Sequence, residues 1–275
     1  MAVALSLLSA LAYGVSDFLG GIFAKKATPW QVAVVGQGSS SVCAVAVTTV
    51  LGWHASSGDL AAGAIAGIGG GAGVAFLYRG LATARMSVVA PLSAVGAALL
   101  PVAIGLLTGE RPNALAVAGI VVAFPAIALI SWVTDDDPAH RGGVVDGVVA
   151  GLGFGVLFTF LGRASDDSGL APLAMSQLTS VVTVIAMAVA LRQTWLPRDR
   201  DAWRAAVMGP LGAGAQGAFL YATHHGLLSV VSVISSLYPA STVLLAAVLL
   251  RERIQRLQGI GLALATVSVS LVALA

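Results

Sequence analysis

Residues Ser87 to Arg111 read SVVAPLSAVGAALLPVAIGLLTGER, and the chain repeats the pattern at Ser229 to Arg253, SVVSVISSLYPASTVLLAAVLLRER. The copies are displaced by 142 residues without a gap, and eight of 25 positions are identical. The identities are Ser87/Ser229, Val88/Val230, Val89/Val231, Ser93/Ser235, Ala98/Ala240, Leu107/Leu249, Glu110/Glu252 and Arg111/Arg253. In an apolar chain the polar matches carry most of the weight, and both copies end in the same Glu-Arg pair. The offset is about half of the 275 residues, so the chain reads as two related halves.

Composition sets the solvent. Hydrophobic residues make up 58% of the chain and charged residues 9%, against roughly 25% charged in soluble domains. Such a chain cannot cover itself in water, which places it in a lipid bilayer. The net charge of +2 comes from basic residues scattered between apolar runs, which is no nucleic-acid footprint. The single cysteine, Cys43, lies in an apolar run and reads as an inert buried thiol.

Working outward from the repeat gives ten expected spans. The first half offers about 2–23, 30–53, 60–82, 87–108 and 113–133, and the second about 144–163, 171–192, 204–223, 229–250 and 256–274. Each is near the ~20 residues a bilayer requires. No basic segment precedes the first span and Lys25-Lys26 follow it, the reverse of a secretory signal, so it reads as a retained helix. The fold class is therefore all-α and polytopic. The first five-helix repeat is 1–134, the polar linker is 135–142 around Asp135-Asp136-Asp137-Pro138, and the second repeat is 143–275.

Other matches support the pairing of halves. Ala75-Phe76-Leu77-Tyr78 returns as Ala218-Phe219-Leu220-Tyr221, and Tyr13-Gly14-Val15 as Phe154-Gly155-Val156. Five is an odd number of spans, so the second repeat enters from the opposite side. Inverted repeats are how many secondary transporters make one midplane site that faces each side in turn. Glycine, at 33 residues, permits close helix approach. The Gly69-Gly70-Gly71 cluster is no phosphate loop, because the Lys-Ser/Thr that follows such a loop is missing.

Orientation follows from the loops. Those after the odd-numbered spans carry 12 of the 14 basic residues, and the other side carries only Arg111 and Arg163. The positive-inside rule then puts both termini outside.

Polar groups within the spans are the candidate site residues. Asp17 is an acidic residue that no helix end accommodates. A carboxylate at mid-membrane costs roughly 2.5–3.5 kcal/mol on insertion scales, so it usually faces a cavity and binds or titrates. Its counterpart in the second half is Phe158, which makes any carboxylate chemistry one-sided. Tyr13 lies four residues before Asp17, on the same helix face. Ser16, Gln37, Tyr78, Gln216, Tyr221, Ser235, Ser236 and Tyr238 complete the candidate cavity wall. Gln216 and Tyr221 need not line one cavity. Pro91 and Pro239 fall inside spans four and nine, where proline frees a carbonyl and bends the helix. The pair His224-His225 points two ways on a helix and has no carboxylate or cysteine cluster, so no metal site and no cofactor are expected. Ser16, Asp17 and His224 make no catalytic triad, and no nucleophile elbow is present.

In this pattern the chain resembles the drug/metabolite transporter superfamily, and within it the ten-helix EamA-like members. The resemblance rests on the two five-helix halves, on Ala12-Tyr13-Gly14-Val15-Ser16-Asp17-Phe18, and on the endings Gly109-Glu110-Arg111 and Arg251-Glu252-Arg253. It implies export of an amino acid, another metabolite or a drug by alternating access, with a central cavity between the halves. Smaller four-helix relatives carry a membrane carboxylate in helix 1, which Asp17 resembles in placement. Ten-helix members keep both termini in the cytoplasm, whereas the charge count here says the reverse.

The expectation is a secondary transporter, not an enzyme, in a bacterial-type cytoplasmic membrane. Its partners are a small-molecule substrate, protons at Asp17 and the lipid bilayer, with no nucleic acid; it is a monomer or homodimer. An uncoupled facilitator is the alternative within transport. A membrane-embedded enzyme or lipid-handling protein is the alternative of another class.

Overall fold

Thr28 and Pro29 show how the chain starts a span. Pro29 stands at the first helical position, where its missing N–H costs nothing. The Thr28 hydroxyl accepts from the Gln31 N–H at 3.3 Å, and the Gln31 side chain accepts from the Thr28 N–H at 3.4 Å. This reciprocal cap fixes the start of the second helix.

The structure, a computed structural model, describes residues 1–83, 86–130, 140–198, 200–249 and 254–275. All its regular elements there are helical: α1 Ala2–Ala24, α2 Pro29–Leu51, α3 Ser57–Thr83, α4 Met86–Leu107, α5 Ala114–Ile130, α6 His140–Leu161, α7 Ala171–Ala190, α8 Arg200–Arg204, α9 Met208–Thr223, α10 Leu228–Ser235, α11 Tyr238–Leu249 and α12 Arg256–Ala273. Single 3₁₀ turns cover Asp166–Ser168 and Ala205–Val207. Seven of these stretches are long and apolar enough to cross a membrane, one of them running through α10 and α11. Val42, Val50, Leu107 and Val248 stand 70% or more exposed, an outer surface suited to lipid rather than water.

Two expected spans are divided. The expected span 204–223 opens with the short α8 and a 3₁₀ turn, and α9 begins only at Met208, with Pro210 in its first turn. The expected span 229–250 is broken between α10 and α11, immediately before Pro239. Residues 131–139, which hold most of the expected linker 135–142, lie outside the described residues, as does Arg251-Glu252-Arg253.

The core is built on α3. Cβ atoms added at Gly67 and Gly71 would fall 2.7 and 2.8 Å from the Cβ atoms of Thr179 and Thr183 on α7. Gly63, Gly67 and Gly71 face the carbonyls of Pro172, Ser176 and Ser180, so both series advance by four and the two helices run parallel. On another side, Gly69 and Gly73 lie against Gly153 and Phe154 of α6. That pair is antiparallel and fastened at both ends. At one end Asp59 accepts from the N–H and hydroxyl of Ser165, both at 2.9 Å. At the other, Arg79 pairs with Asp146, its Nε donating at 2.9 Å, while its guanidinium lies 4.2 Å over the Phe76 ring.

Three further helix pairs, each joining one half of the chain to the other, also pack antiparallel. Between α2 and α7, Gln37 bonds Ser180 while Thr48 lies farther along against the Leu170 carbonyl. Between α5 and α12, Gly119 meets Ser268 and Val272, and Gly261 meets Ala126 and Ile130. Between α4 and the ninth stretch, Ser93 meets Tyr238 and the Glu110 carboxylate caps α10. Packing across the halves is reciprocal: α3 lies on α6 and α7, and α9 lies on α1 and α2.

The Glu110 cap explains one of the repeated motifs. Gly109 takes φ +107°, a conformation open to glycine, and turns the chain back after α4. Glu110 then accepts from the Leu228 and Ser229 N–H groups at 2.7 and 3.0 Å.

Two outcomes follow for the purified protein in detergent. Gly67→Ala destabilises by about 1–3 kcal/mol, because its Cβ meets backbone, whereas Gly38→Ala, with nothing within 4 Å, does not lower the unfolding temperature. Glu110→Ala costs about 0.5–2 kcal/mol by loss of the α10 cap, read as a drop in unfolding temperature, and Glu110→Gln recovers part of it.

Candidate functional site: a carboxylate among tyrosines

Asp17 lies in the middle of α1, a position fixed by the apolar run on both sides of it. Its neighbours Ser16 and Phe18 are buried, but Asp17 itself keeps partial exposure. Among the described residues no lysine, arginine or histidine forms an ion pair with it. Instead Tyr13, Tyr78 and Tyr238 all lie within its electrostatic reach. They come from α1, α3 and α11, so both halves of the chain contribute.

Each tyrosine is placed by a specific contact. Tyr78 is buried near Ser16 and fills the space a side chain at Gly20 would need, its ring carbons 2.5 Å from an added Cβ. Tyr238 is buried, and its phenol oxygen lies 2.6 Å from the Ser93 hydroxyl. The Ser93 hydroxyl also reaches the Ala90 carbonyl at 2.9 Å. The Tyr13 ring stands 6.5 Å from Tyr238 and 5.8 Å from Phe158, and its hydroxyl has no hydrogen-bond partner. Phe158 stacks on Phe219 at 4.4 Å, which closes the aromatic wall from the α6 and α9 side.

α1 comes close enough because Gly14 has no side chain. A Cβ there would fall 2.6 Å from the Tyr238 carbonyl and from Ser241. The Thr242 hydroxyl reaches the Gly14 carbonyl at 3.2 Å, and the Ser241 hydroxyl reaches that of Ala10 at 3.2 Å. A lone carboxylate among phenol hydroxyls and ring faces can accept a proton or face a cation, since aromatic faces attract positive charge.

Residues 141–274 match the family model described as the EamA-like transporter family. That match likens the second half of the chain to the EamA-like transporters. With seven helices long and apolar enough to cross a bilayer among the described residues, the chain is a multi-pass membrane protein. One solved crystal structure superposes on 99% of this chain and 94% of its own length, with a TM-score of 0.73 at 18% sequence identity. That likeness is one of fold. No curated protein matches the chain.

The structure sets Tyr13, Ser16 and Asp17 on α1, with Tyr78 of α3 and Tyr238 of α11 within electrostatic reach of the carboxylate. It sets other candidates elsewhere. Gln37 is buried and bonded to Ser180 of α7. Gln216 is buried with its carbonyl oxygen unpartnered, three residues from Phe219 on α9. Tyr221 is 51% exposed and stacks on His225. It lines an apolar crevice of about 600 Å³ among α1, α2, α7 and α9. Ser235 and Ser236 are buried without partners at the end of α10, and Pro239 follows the break. Pro91 lies within α4, and its side chain is outside the described residues.

Sequence reading missed Ser93, Phe219 and Gln177. Gln177 is fully buried on α7 with both amide atoms unpartnered, and an amide inside an apolar run was its available signal. Ser93 was visible as a repeat match, but its contact with Tyr238 was not.

A double-mutant cycle tests the placement of Tyr238. Tyr238→Phe and Ser93→Ala are expected to be non-additive, with a coupling of about 0.5–1.5 kcal/mol. Denaturation of the four proteins measures it.

Proposed function

We propose that this chain is an EamA-like secondary transporter for a small organic solute, an amino acid, other metabolite or drug, which it exports by alternating access. Its ten spans form two inverted repeats, residues 1–134 and 143–275, around one site. The antiparallel packing of α2 on α7, α4 on α10 and α5 on α12 supports the inversion, since equivalent helices then cross the bilayer in opposite senses. The reading puts the protein in a bacterial-type cytoplasmic membrane, as a monomer or homodimer.

The observation that carries the proposal is Asp17, without an ion-pair partner among the described residues and within electrostatic reach of Tyr13, Tyr78 and Tyr238, which come from both halves. Asp17 is the proton or cation site, and it exchanges its proton for a positively charged group of the solute. The aromatic wall of Phe158 and Phe219 covers the apolar part of the solute.

Sealed vesicles containing the purified protein, with an imposed pH gradient and a panel of amino acids, nucleosides and cationic dyes, test the reading. The expected result is gradient-driven movement of at least one solute class, with loss of that coupling in Asp17→Asn. Transport by Asp17→Asn with unchanged pH dependence removes the coupling role and leaves an uncoupled facilitator.

A further inference from the structure

The turn between α1 and α2 meets the connection between α7 and α8. α1 ends at Ala24, α2 starts at Pro29, α7 ends at Ala190 and α8 starts at Arg200. Both connections therefore lie where apolar helices end, at the level of the membrane surface. Two hydrogen bonds tie them together. The Thr28 hydroxyl donates to the Thr194 carbonyl at 2.9 Å, and the Gln31 amide to the Leu196 carbonyl at 2.8 Å. Between them is a pocket of about 430 Å³ lined by Thr28, Gln31, Gln193, Thr194, Trp195, Leu196 and Arg198. That size falls within the ~300–1,000 Å³ of small-ligand sites. Five of its seven lining residues are polar, whereas the crevice beside Tyr221 is almost wholly apolar.

Positive charge collects around this pocket without compensation. Arg198 lines it directly. Lys25 and Lys26 stand three and two residues before Thr28, Arg192 immediately precedes Gln193, and Arg200 follows Arg198 by two. All five are exposed. Among the described residues none of them forms an ion pair, since Asp201 is taken by Arg204 and Asp146 by Arg79. The wall is also arranged for an acceptor. The Thr194 and Leu196 carbonyls are turned to Thr28 and Gln31. The N–H groups of Thr194, Trp195 and Leu196 make no hydrogen bond among the described residues. Donors and cations are thus left over, and the pocket suits an anion.

We propose that this pocket binds the phosphate headgroup of an anionic phospholipid. Its place at the ends of apolar helices is the depth at which lipid phosphates lie, and Trp195 has the amphipathic ring that favours this layer. The positive-inside rule puts this face in the cytoplasm, whose leaflet carries the anionic lipids that juxtamembrane basic residues attract. Thr28 and Gln31 come from the first half of the chain and 193–198 from the second, so a bound headgroup ties the two halves together. The site does not depend on the transporter reading above.

The test is the unfolding temperature of the purified full-length protein, stripped of lipid in a non-ionic detergent. It is titrated with dioctanoyl phosphatidylglycerol, dioctanoyl phosphatidylcholine or inorganic phosphate at constant ionic strength. The expected result is a saturable rise with phosphatidylglycerol and a much smaller response to the other two. Added sodium chloride weakens the response to phosphatidylglycerol. Arg198→Gln weakens phosphatidylglycerol binding about fivefold, and Lys25→Gln with Lys26→Gln weakens it further. Arg256→Gln, at an exposed basic residue of the same face outside the pocket, keeps the wild-type affinity. Arg198 and Arg256 have no ion-pair partner among the described residues, so neither substitution removes a salt bridge that holds the fold. Equal responses to the two lipids overturn the site, and so do equal losses in Arg198→Gln and Arg256→Gln, which mark a diffuse attraction to the whole face. Inorganic phosphate acting as strongly as phosphatidylglycerol overturns the lipid assignment, because a soluble anion then fills the pocket.

Discussion

Backbone-to-backbone contact through glycine is the constraint on which the structure depends. In lipid, two helices gain nothing by hiding apolar side chains from a solvent that is itself apolar, so attraction has to come from close van der Waals packing. The chain answers with α3, whose Gly63, Gly67 and Gly71 touch α7 and whose Gly69 and Gly73 touch α6. At these places the carbonyls of Ser176, Ser180 and Gly153 occupy the space where a side chain would stand. The end fastenings Asp59–Ser165 and Arg79–Asp146 then set the lengthwise register of α3 against α6. Their removal would leave two glycine-faced helices with little to stop them sliding.

The interior polar groups make sense against that rigid frame. A carboxylate at Asp17 costs a few kcal/mol of insertion free energy, and nothing in the packing repays it. Among the described residues its neighbours are phenols rather than cations: Tyr78 packed against Gly20, Tyr238 held by Ser93, Tyr13 with a free hydroxyl. A permanent ion pair would have neutralised the charge and left no demand for a ligand. Arg79–Asp146 is such a pair, and it fastens helices instead.

Much of this was legible in the sequence, for reasons that can be named. Apolar runs between charged loops gave the helices, because length and hydropathy are local properties. Asp17 and Tyr13 were visible because a polar residue in an apolar run stands out and four residues make one helix face. What escaped notice depends on three dimensions. Ala75-Phe76-Leu77-Tyr78 and Ala218-Phe219-Leu220-Tyr221 are the same letters, yet Tyr78 is buried against Gly20 while Tyr221 is half exposed on the outside. There Phe219 takes the inward place, stacked on Phe158. A small difference of helix rotation decides which ring faces in, and identity of letters does not record it. The Glu-Arg ending was read as a repeat signature, but its work at Glu110, capping a helix from the other half, needs the turn at Gly109 to be seen.

The divided ninth stretch differs in kind from the rest. Elsewhere a helix is tied to its neighbours by glycine contacts or polar fastenings along its length. The join at Ser236-Leu237 lacks the main-chain donor that Pro239 cannot supply, and its serine hydroxyls make no hydrogen bond in its place. Its two ends are nevertheless anchored, α10 by Glu110 and α11 by Gly14 and Ala10 of α1. A stretch held at both ends and short of one main-chain bond in the middle can change its angle at lower cost than an unbroken helix. It also sits beside Tyr238, and so beside Asp17. The element best able to move is thus one that carries Tyr238, within electrostatic reach of Asp17, the charge that a solute or proton would change.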